Sequence, residues 1–134
     1  MSYTLQHRVI VITGAARGIG LAAAKAFLSY GSKVVICDVD ATTGEQRAKE
    51  LGDAAFFYRL DVSDRKSFQN AMDQIEEEVG AIDVLINNAG IMPIGSFQEQ
   101  DEESEYRQVQ INLLGPVHGI HAVPDQERRD RRSP

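Results

Sequence analysis

Short, uninterrupted apolar runs alternate along this chain with longer stretches in which apolar residues recur every three or four positions. The runs occupy residues 8–13, 33–38, 55–60 and 82–87, and such continuous apolarity predicts strands covered on both faces. The first helix is predicted to start at Gly18, to turn Ile19, Ala23, Ala26, Phe27 and Tyr30 toward the strands, and to stop at Gly31. A second, short and polar, covers about 43–51, ends at Gly52 and reads as a surface crossover. The third follows Ser63 as its N-cap, and Phe68, Met72, Ile75 and Val79 form its core stripe before Gly80. A fourth begins near Asp101, where Glu102 and Glu103 suit the positive end of its dipole. It carries Tyr106, Val109, Leu113 and Val117 as an apolar stripe and runs to about His121. Strand and helix in strict alternation predict an α/β fold, a parallel sheet of βαβ units with right-handed crossovers.

The pattern changes abruptly after residue 123. The stretch 124–134 offers almost nothing to bury, so it is expected to be a disordered, solvated tail, leaving one domain over 1–123. At 134 residues and 43% hydrophobic the chain suffices for one core and not for two domains. A net charge of -6 disfavours general binding to nucleic acid or to a membrane surface. The first nine residues carry no long apolar core, so neither a signal peptide nor a membrane span is expected, and a cytoplasmic location follows. The lone Cys37 sits inside an apolar run and reads as a buried thiol rather than a nucleophile. No metal site is expected.

Chemistry enters with Thr13-Gly14-Ala15-Ala16-Arg17-Gly18-Ile19-Gly20, which lies between the first strand and the first helix. Glycines there let the backbone approach a pyrophosphate and aim helical N–H groups at it, the grip of a Rossmann-type dinucleotide site. Asp38 closes the second strand eighteen residues after Gly20, where a carboxylate can accept hydrogen bonds from an adenosine ribose. That acid repels a 2′-phosphate and so favours NAD over NADP. Arg17 argues the other way if its guanidinium meets a phosphate; the alternative is an exposed arginine with no ligand.

Two further motifs complete a resemblance. Leu60-Asp61-Val62 ends the third strand and Asn87-Asn88-Ala89-Gly90 the fourth. With the glycine turn, Asp38 and Asn112, residues 6–123 resemble the N-terminal, cofactor-binding half of a short-chain dehydrogenase/reductase. The resemblance implies an incomplete Rossmann-type doubly wound sheet of about four strands, in the order 3-2-1-4. It implies that Gly14, Gly18 and Gly20 shape the pyrophosphate turn, that Ile19 lies beside the phosphates, and that Asp38 binds the ribose. Asp61 and Val62 would flank the adenine, and Asn88, Ala89 and Gly90 would steady the sheet and border the cofactor. Asn112 matches the asparagine of the catalytic tetrad. Read by themselves, Asp61 also suits a cap before Ser63, the paired asparagines suit bonds to their own loop, and Asn112 suits a solvated helix face.

In that family hydride transfer between NAD(P) and an alcohol or ketone uses a tyrosine, a lysine four residues later, and a serine. Tyr3, Tyr30, Tyr58 and Tyr106 are followed at that spacing by His7, Val34, Val62 and Gln110. The Tyr-x-x-x-Lys motif is therefore missing from this sequence, and its family position lies past residue 134. Together with the arginine-rich ending, this points to a truncated or frame-shifted product whose family sequence stops near Val123, the alternative being a naturally shortened cofactor-binding protein. Losing the later strands would leave the fourth strand as an open edge and bare the fourth helix, which in the usually homo-oligomeric family builds subunit contacts. The expectation is a chain that holds the cofactor without catalysing, and that is unstable or self-associating.

Overall fold

The computed structural model describes residues 4–125 and 130. Four strands, β1 (Val9–Thr13), β2 (Lys33–Asp38), β3 (Ala55–Arg59) and β4 (Val84–Ile86), form one parallel sheet in the order β3-β2-β1-β4. The helices are α1 (Gly18–Ser29), α2 (Ala41–Leu51), α3 (Arg65–Glu78), α4 (Glu102–Gln108) and α5 (Gly115–Ala122). A 3₁₀ turn over Phe97–Glu99 precedes α4, and a π-helical segment, Val109–Leu114, joins α4 to α5. Of the tail expected over 124–134, only residues 124, 125 and 130 are described; the rest lies outside the described residues.

Alternation along the strands divides the core in two. Val9, Val11, Val35 and Cys37 face Phe68, Met72 and Ile75 of α3, with Ala122 of α5 in the same cluster. Ile10, Ile12, Val34 and Ile36 face the other way, against Ala24 and the half-buried Leu21, Phe27 and Leu28 of α1. The α3 stripe therefore packs as its spacing predicts. The α1 stripe packs only in part: Ala23 and Phe27 lie against the sheet, whereas Ile19 and Tyr30 are 82% and 66% exposed, and Ala26 is exposed too. The sheet takes the small residues Gly20 and Ala24 instead, which lets the helix approach closely.

Local chemistry corrects three further expectations. The N-cap of α3 is Asp64, whose carboxylate accepts from Lys66 N and Ser67 N, while Ser63 sits one residue earlier in the turn closed by Asp61, to whose Oδ1 its hydroxyl donates at 2.6 Å. Helix α2 is capped by Asp40 and is no mere surface crossover: Gly44 and Ala48 are buried, and a Cβ at Gly44 would lie 2.1 Å from the Phe57 ring. Strand β4 is shorter than predicted. Before it, the Asp83 carboxylate takes over the pairing, accepting from Val9 N at 2.9 Å and from Arg8 Nη1 at 3.1 Å. After it, Asn88 turns back to Thr13.

Strand β4 pairs with β1 and with no other strand among the described residues. The predicted stripe on the fourth helix points outward: Tyr106, Val109, Leu113 and Val117 are exposed, as is Ile120. What α5 buries is its small-residue face, Gly115, Gly119 and Ala122. A Cβ at Gly119 would lie 2.9 Å from Phe68 Cζ and 2.9 Å from Leu85 Cδ2. The π segment has a covalent cause. Pro116 has no N–H to donate to the Asn112 carbonyl four residues earlier, and a helix missing that rung relaxes locally into wider turns.

Candidate functional site

Parallel pairing puts the carboxyl ends of all four strands on one side. Thr13 is opposite Cys37, Cys37 opposite Tyr58, and Ile12 opposite Ile86. The glycine turn, Asp38, Asp61 and the loop 87–90 therefore gather along one rim, the position at which open α/β sheets bind ligands.

In the turn, Gly14 and Gly18 adopt φ of 64° and 62°, a left-handed conformation that costs a residue with a Cβ dearly and glycine nothing. A Cβ at Gly14 would lie 2.8 Å from Ala89 Cα, whereas Gly18 faces open space. Gly20 has no room for a side chain either. A Cβ there would lie 2.6 Å from Asn88 Nδ2, 2.7 Å from Gly14 O and 2.9 Å from Ala15 Cα, so its absence lets the turn close on the helix and makes room for the Asn88 side chain. Arg17 is the N-cap residue of α1, and its side chain makes no capping bond. The first turn of α1 carries no acidic residue, and Ile19 stands exposed beside it. The helix thus presents its positive end to the rim without a protein anion of its own first turn.

Asp38 ties two loops together. Its Oδ2 accepts from Ala16 N at 3.2 Å and its Oδ1 from Asp40 N at 3.0 Å. Its backbone carbonyl accepts from Leu60 N at 3.1 Å, which sets Asp61 beside it. Asp61 Oδ1 accepts from Ser63 N at 3.0 Å and from the Ser63 hydroxyl, the capping arrangement open to it in the sequence. Val62 is a core residue with 7% exposure and packs under Gly115, so its side chain forms the wall behind the rim rather than an open apolar face. Its carbonyl lies 2.9 Å from His118 Nδ1.

Asn88 and Ala89 are organised by Thr13, whose hydroxyl accepts from both of their backbone N–H groups at 3.0 Å. The Asn88 amide donates to Thr13 O at 3.0 Å and Gly14 O at 3.2 Å. It bonds the neighbouring glycine turn and not its own loop. Beyond exposed Gly90, Asn112 makes a paired contact with the Ile91 backbone: Oδ1 accepts from Ile91 N at 2.8 Å and Nδ2 donates to Ile91 O at 2.7 Å. The Asn112 side chain is thus bonded to the protein rather than only to solvent, and it anchors the loop after β4 to the π segment.

Sequence reasoning missed Asp40. This residue ion-pairs with Arg17, caps α2 through Thr43 N at 3.0 Å and accepts from the Thr43 hydroxyl at 2.8 Å. The Thr43 backbone bond, then the Thr43 hydroxyl and then Arg17 hold its carboxyl below the usual carboxylate range. An aspartate three residues before a threonine just past a strand end was the available signal. Cys37 is fully buried, and desolvation, aided by the Asp38 charge, pushes its thiol pKa far up; it is no nucleophile. Among the described residues no cluster of side chains could hold a metal ion, and no helix is long and apolar enough to cross a membrane.

Residues 8–132 match the family model described as short chain dehydrogenase. The chain is 42% identical over 119 residues to galactitol 2-dehydrogenase of Agrobacterium fabrum, covering 89% of this chain and 46% of that protein. It is 35% identical over 129 residues to 3-beta-hydroxysteroid dehydrogenase of Comamonas testosteroni, covering 93% and 51%. Its fold is similar to the NADH complex of 3-ketoacyl-(acyl-carrier-protein) reductase from Brucella melitensis, with a TM-score of 0.84 and 34% identity over 88% of this chain and 49% of that one. It is similar as well to gluconate 5-dehydrogenase from Burkholderia cenocepacia in complex with NADP and tartrate, with a TM-score of 0.82 and 32% identity over 90% and 48%. The chain thus spans about half the length of the curated relatives it matches. With four parallel strands in the order β3-β2-β1-β4 and a glycine turn feeding α1, it is a member of the short-chain dehydrogenase/reductase family.

Proposed function

We propose that this chain holds a nicotinamide dinucleotide, NAD in preference to NADP, along the rim formed by residues 14–20, 38, 61–62 and 88–90. The observation that carries the reading is the uncapped start of α1, placed directly behind two left-handed glycines. Backbone N–H groups at such a helix start bind a pyrophosphate without needing a side chain. Asp38 keeps acceptor capacity for ribose hydroxyls after its two backbone bonds, and its charge opposes a 2′-phosphate. Asp61 accepts at the adenine edge, with Val62 as the buried support of that edge. Asn88, Ala89 and Gly90 border the nicotinamide side, and Asn112 steadies that border through Ile91.

The cofactor supplies hydride transfer to or from a small alcohol or ketone, which is the reaction we infer for the protein as an oxidoreductase of its family. The chain contains no tyrosine followed four residues later by lysine, so the group that moves the hydroxyl proton is not within these 134 residues. On this reading the chain binds and does not turn over. Calorimetric titration with NAD and NADP, followed by an alcohol-oxidation assay on the same preparation, tests it. Tighter binding of NAD with no turnover is the expected result. Turnover would overturn the non-catalytic part, and absence of binding would overturn the whole.

The bare stripe on α4 and α5 favours an additional reading, a chain that self-associates through that face. We infer a cytoplasmic setting from the composition alone.

A further inference from the structure

Arg17 is the only cation in the glycine turn, and it is already committed. Its guanidinium is ion-paired with Asp40 and reaches the Thr43 hydroxyl at 3.5 Å. Asp40 is itself fixed by the two bonds from Thr43 that begin α2. An inner link runs parallel to this outer one, from Ala16 N to Asp38 Oδ2 and from Asp40 N to Asp38 Oδ1. The glycine turn and the loop after β2 are therefore strapped together twice, at the side of the rim where the ribose is proposed to lie.

Resting on that reading, we propose that Asp40 is a specificity-positioning residue: it sequesters Arg17 and so denies a 2′-phosphate the one cation of the glycine turn. A guanidinium forms strong bidentate bonds with phosphate when it is free to do so. Here it is spent on a carboxylate held in place by a helix cap. Selectivity for the unphosphorylated ribose then comes from a pair, Asp38 repelling the phosphate and Asp40 withholding the arginine. Freeing Arg17 should relax that selectivity without touching Asp38.

The test uses AMP and adenosine 2′,5′-bisphosphate as probes, titrated calorimetrically into the full chain. Asp40→Asn discharges the ion pair and keeps the cap, since asparagine caps as well as aspartate; Asp40→Ser serves the same purpose if the first variant melts below the wild type. The bisphosphate should gain roughly tenfold in affinity relative to AMP, the size of one charge-assisted bond to phosphate. Arg17→Ala should abolish that gain in the Asp40→Asn background, and alone should change bisphosphate affinity by less than about twofold. A gain that survives Arg17→Ala would reduce Asp40 to simple repulsion and overturn the proposal, as would no gain at all. Wild-type chain that binds NAD and AMP but shows no Asp40 effect overturns only the strap. Wild-type chain that binds neither removes the cofactor reading and the strap together.

Discussion

Asn88 donates twice to Thr13, from its backbone N–H to the hydroxyl at 3.0 Å and from its side-chain amide to the carbonyl at 3.0 Å. With Ala89 N also donating to the Thr13 hydroxyl, and that hydroxyl donating to Ile86 O at 3.4 Å, the ends of β1 and β4 act as one unit. Thr13 is 1% exposed. Thr13→Val removes the acceptor and keeps the shape, leaving Ala89 N without its partner and Asn88 N with the Ile86 carbonyl alone. It should cost about 1–3 kcal/mol, whereas Thr13→Ser should cost markedly less because the hydroxyl survives. Urea unfolding of the two variants side by side measures the difference.

Asp38→Ala should weaken NAD by about tenfold and tighten NADP, because the carboxylate both accepts from the ribose and repels a 2′-phosphate. The variant also loses the tie to Ala16 N, so a melting curve should accompany the titration. Equal affinities of wild type and variant for NAD would place the ribose elsewhere.

Cys37 supplies a probe of folding. In the native chain its thiol should resist a disulfide reagent at pH 8 and react at once in denaturant. Burial raises its pKa above that of an exposed thiol, so the unfolded chain ionises first as pH climbs. This contribution to stability is fully present below about pH 9 and is lost as pH rises above it. The urea midpoint should therefore show a component that falls above pH 9 and disappears in Cys37→Ala. Tyr58, pushed up to about 12 by burial and its hydrogen bond to Glu78, is the other group expected to resist alkaline titration.

The fold was legible where apolar runs were unambiguous. All four strands and the α3 stripe follow directly from residue type, because a doubly covered strand must be apolar throughout. The face of α1 was harder. Its alanines offer two stripes of similar polarity, and what selects between them is the close approach permitted by Gly20 and Ala24, a tertiary effect. Ser63 and Asp64 are both good capping residues, and only where the chain leaves the Asp61 turn decides between them. Of the rim, the glycines, Asp38 and the 87–90 loop were readable as a group. The seat that Gly20 leaves for Asn88 was not, since it joins residues far apart in sequence that only the pairing of β1 with β4 brings together. Pro116 marked the helical irregularity in plain sight, while hydropathy spacing across it read as one continuous helix.

The exposed stripe leads to an expectation about solution behaviour. Leu113 is 61% exposed and Ile120 73% exposed on one side of the α4 to α5 region, and apolar surface of this kind associates in water. Light scattering should show concentration-dependent assemblies of the wild-type chain. Leu113→Lys with Ile120→Lys should reduce them without lowering the melting temperature by more than a few degrees, because neither side chain belongs to the core. A monomeric wild type at high concentration would end the self-association reading.

The π segment makes chain length a matter of phase. Asn112 must meet Ile91 while Gly115 and Gly119 meet Val62, Phe68 and Leu85, and the extra residue in the wide turns lets one helix satisfy both appointments. Deleting a single residue between Val109 and Leu114 would therefore restore ordinary pitch and leave the small-residue face against α3, whereas deleting His118 from the regular turns of α5 would swing everything after it by about 100° and bring Ile120 to where Gly119 leaves less than 3 Å to spare. A change of count should be tolerated in the wide turns far more readily than in α5.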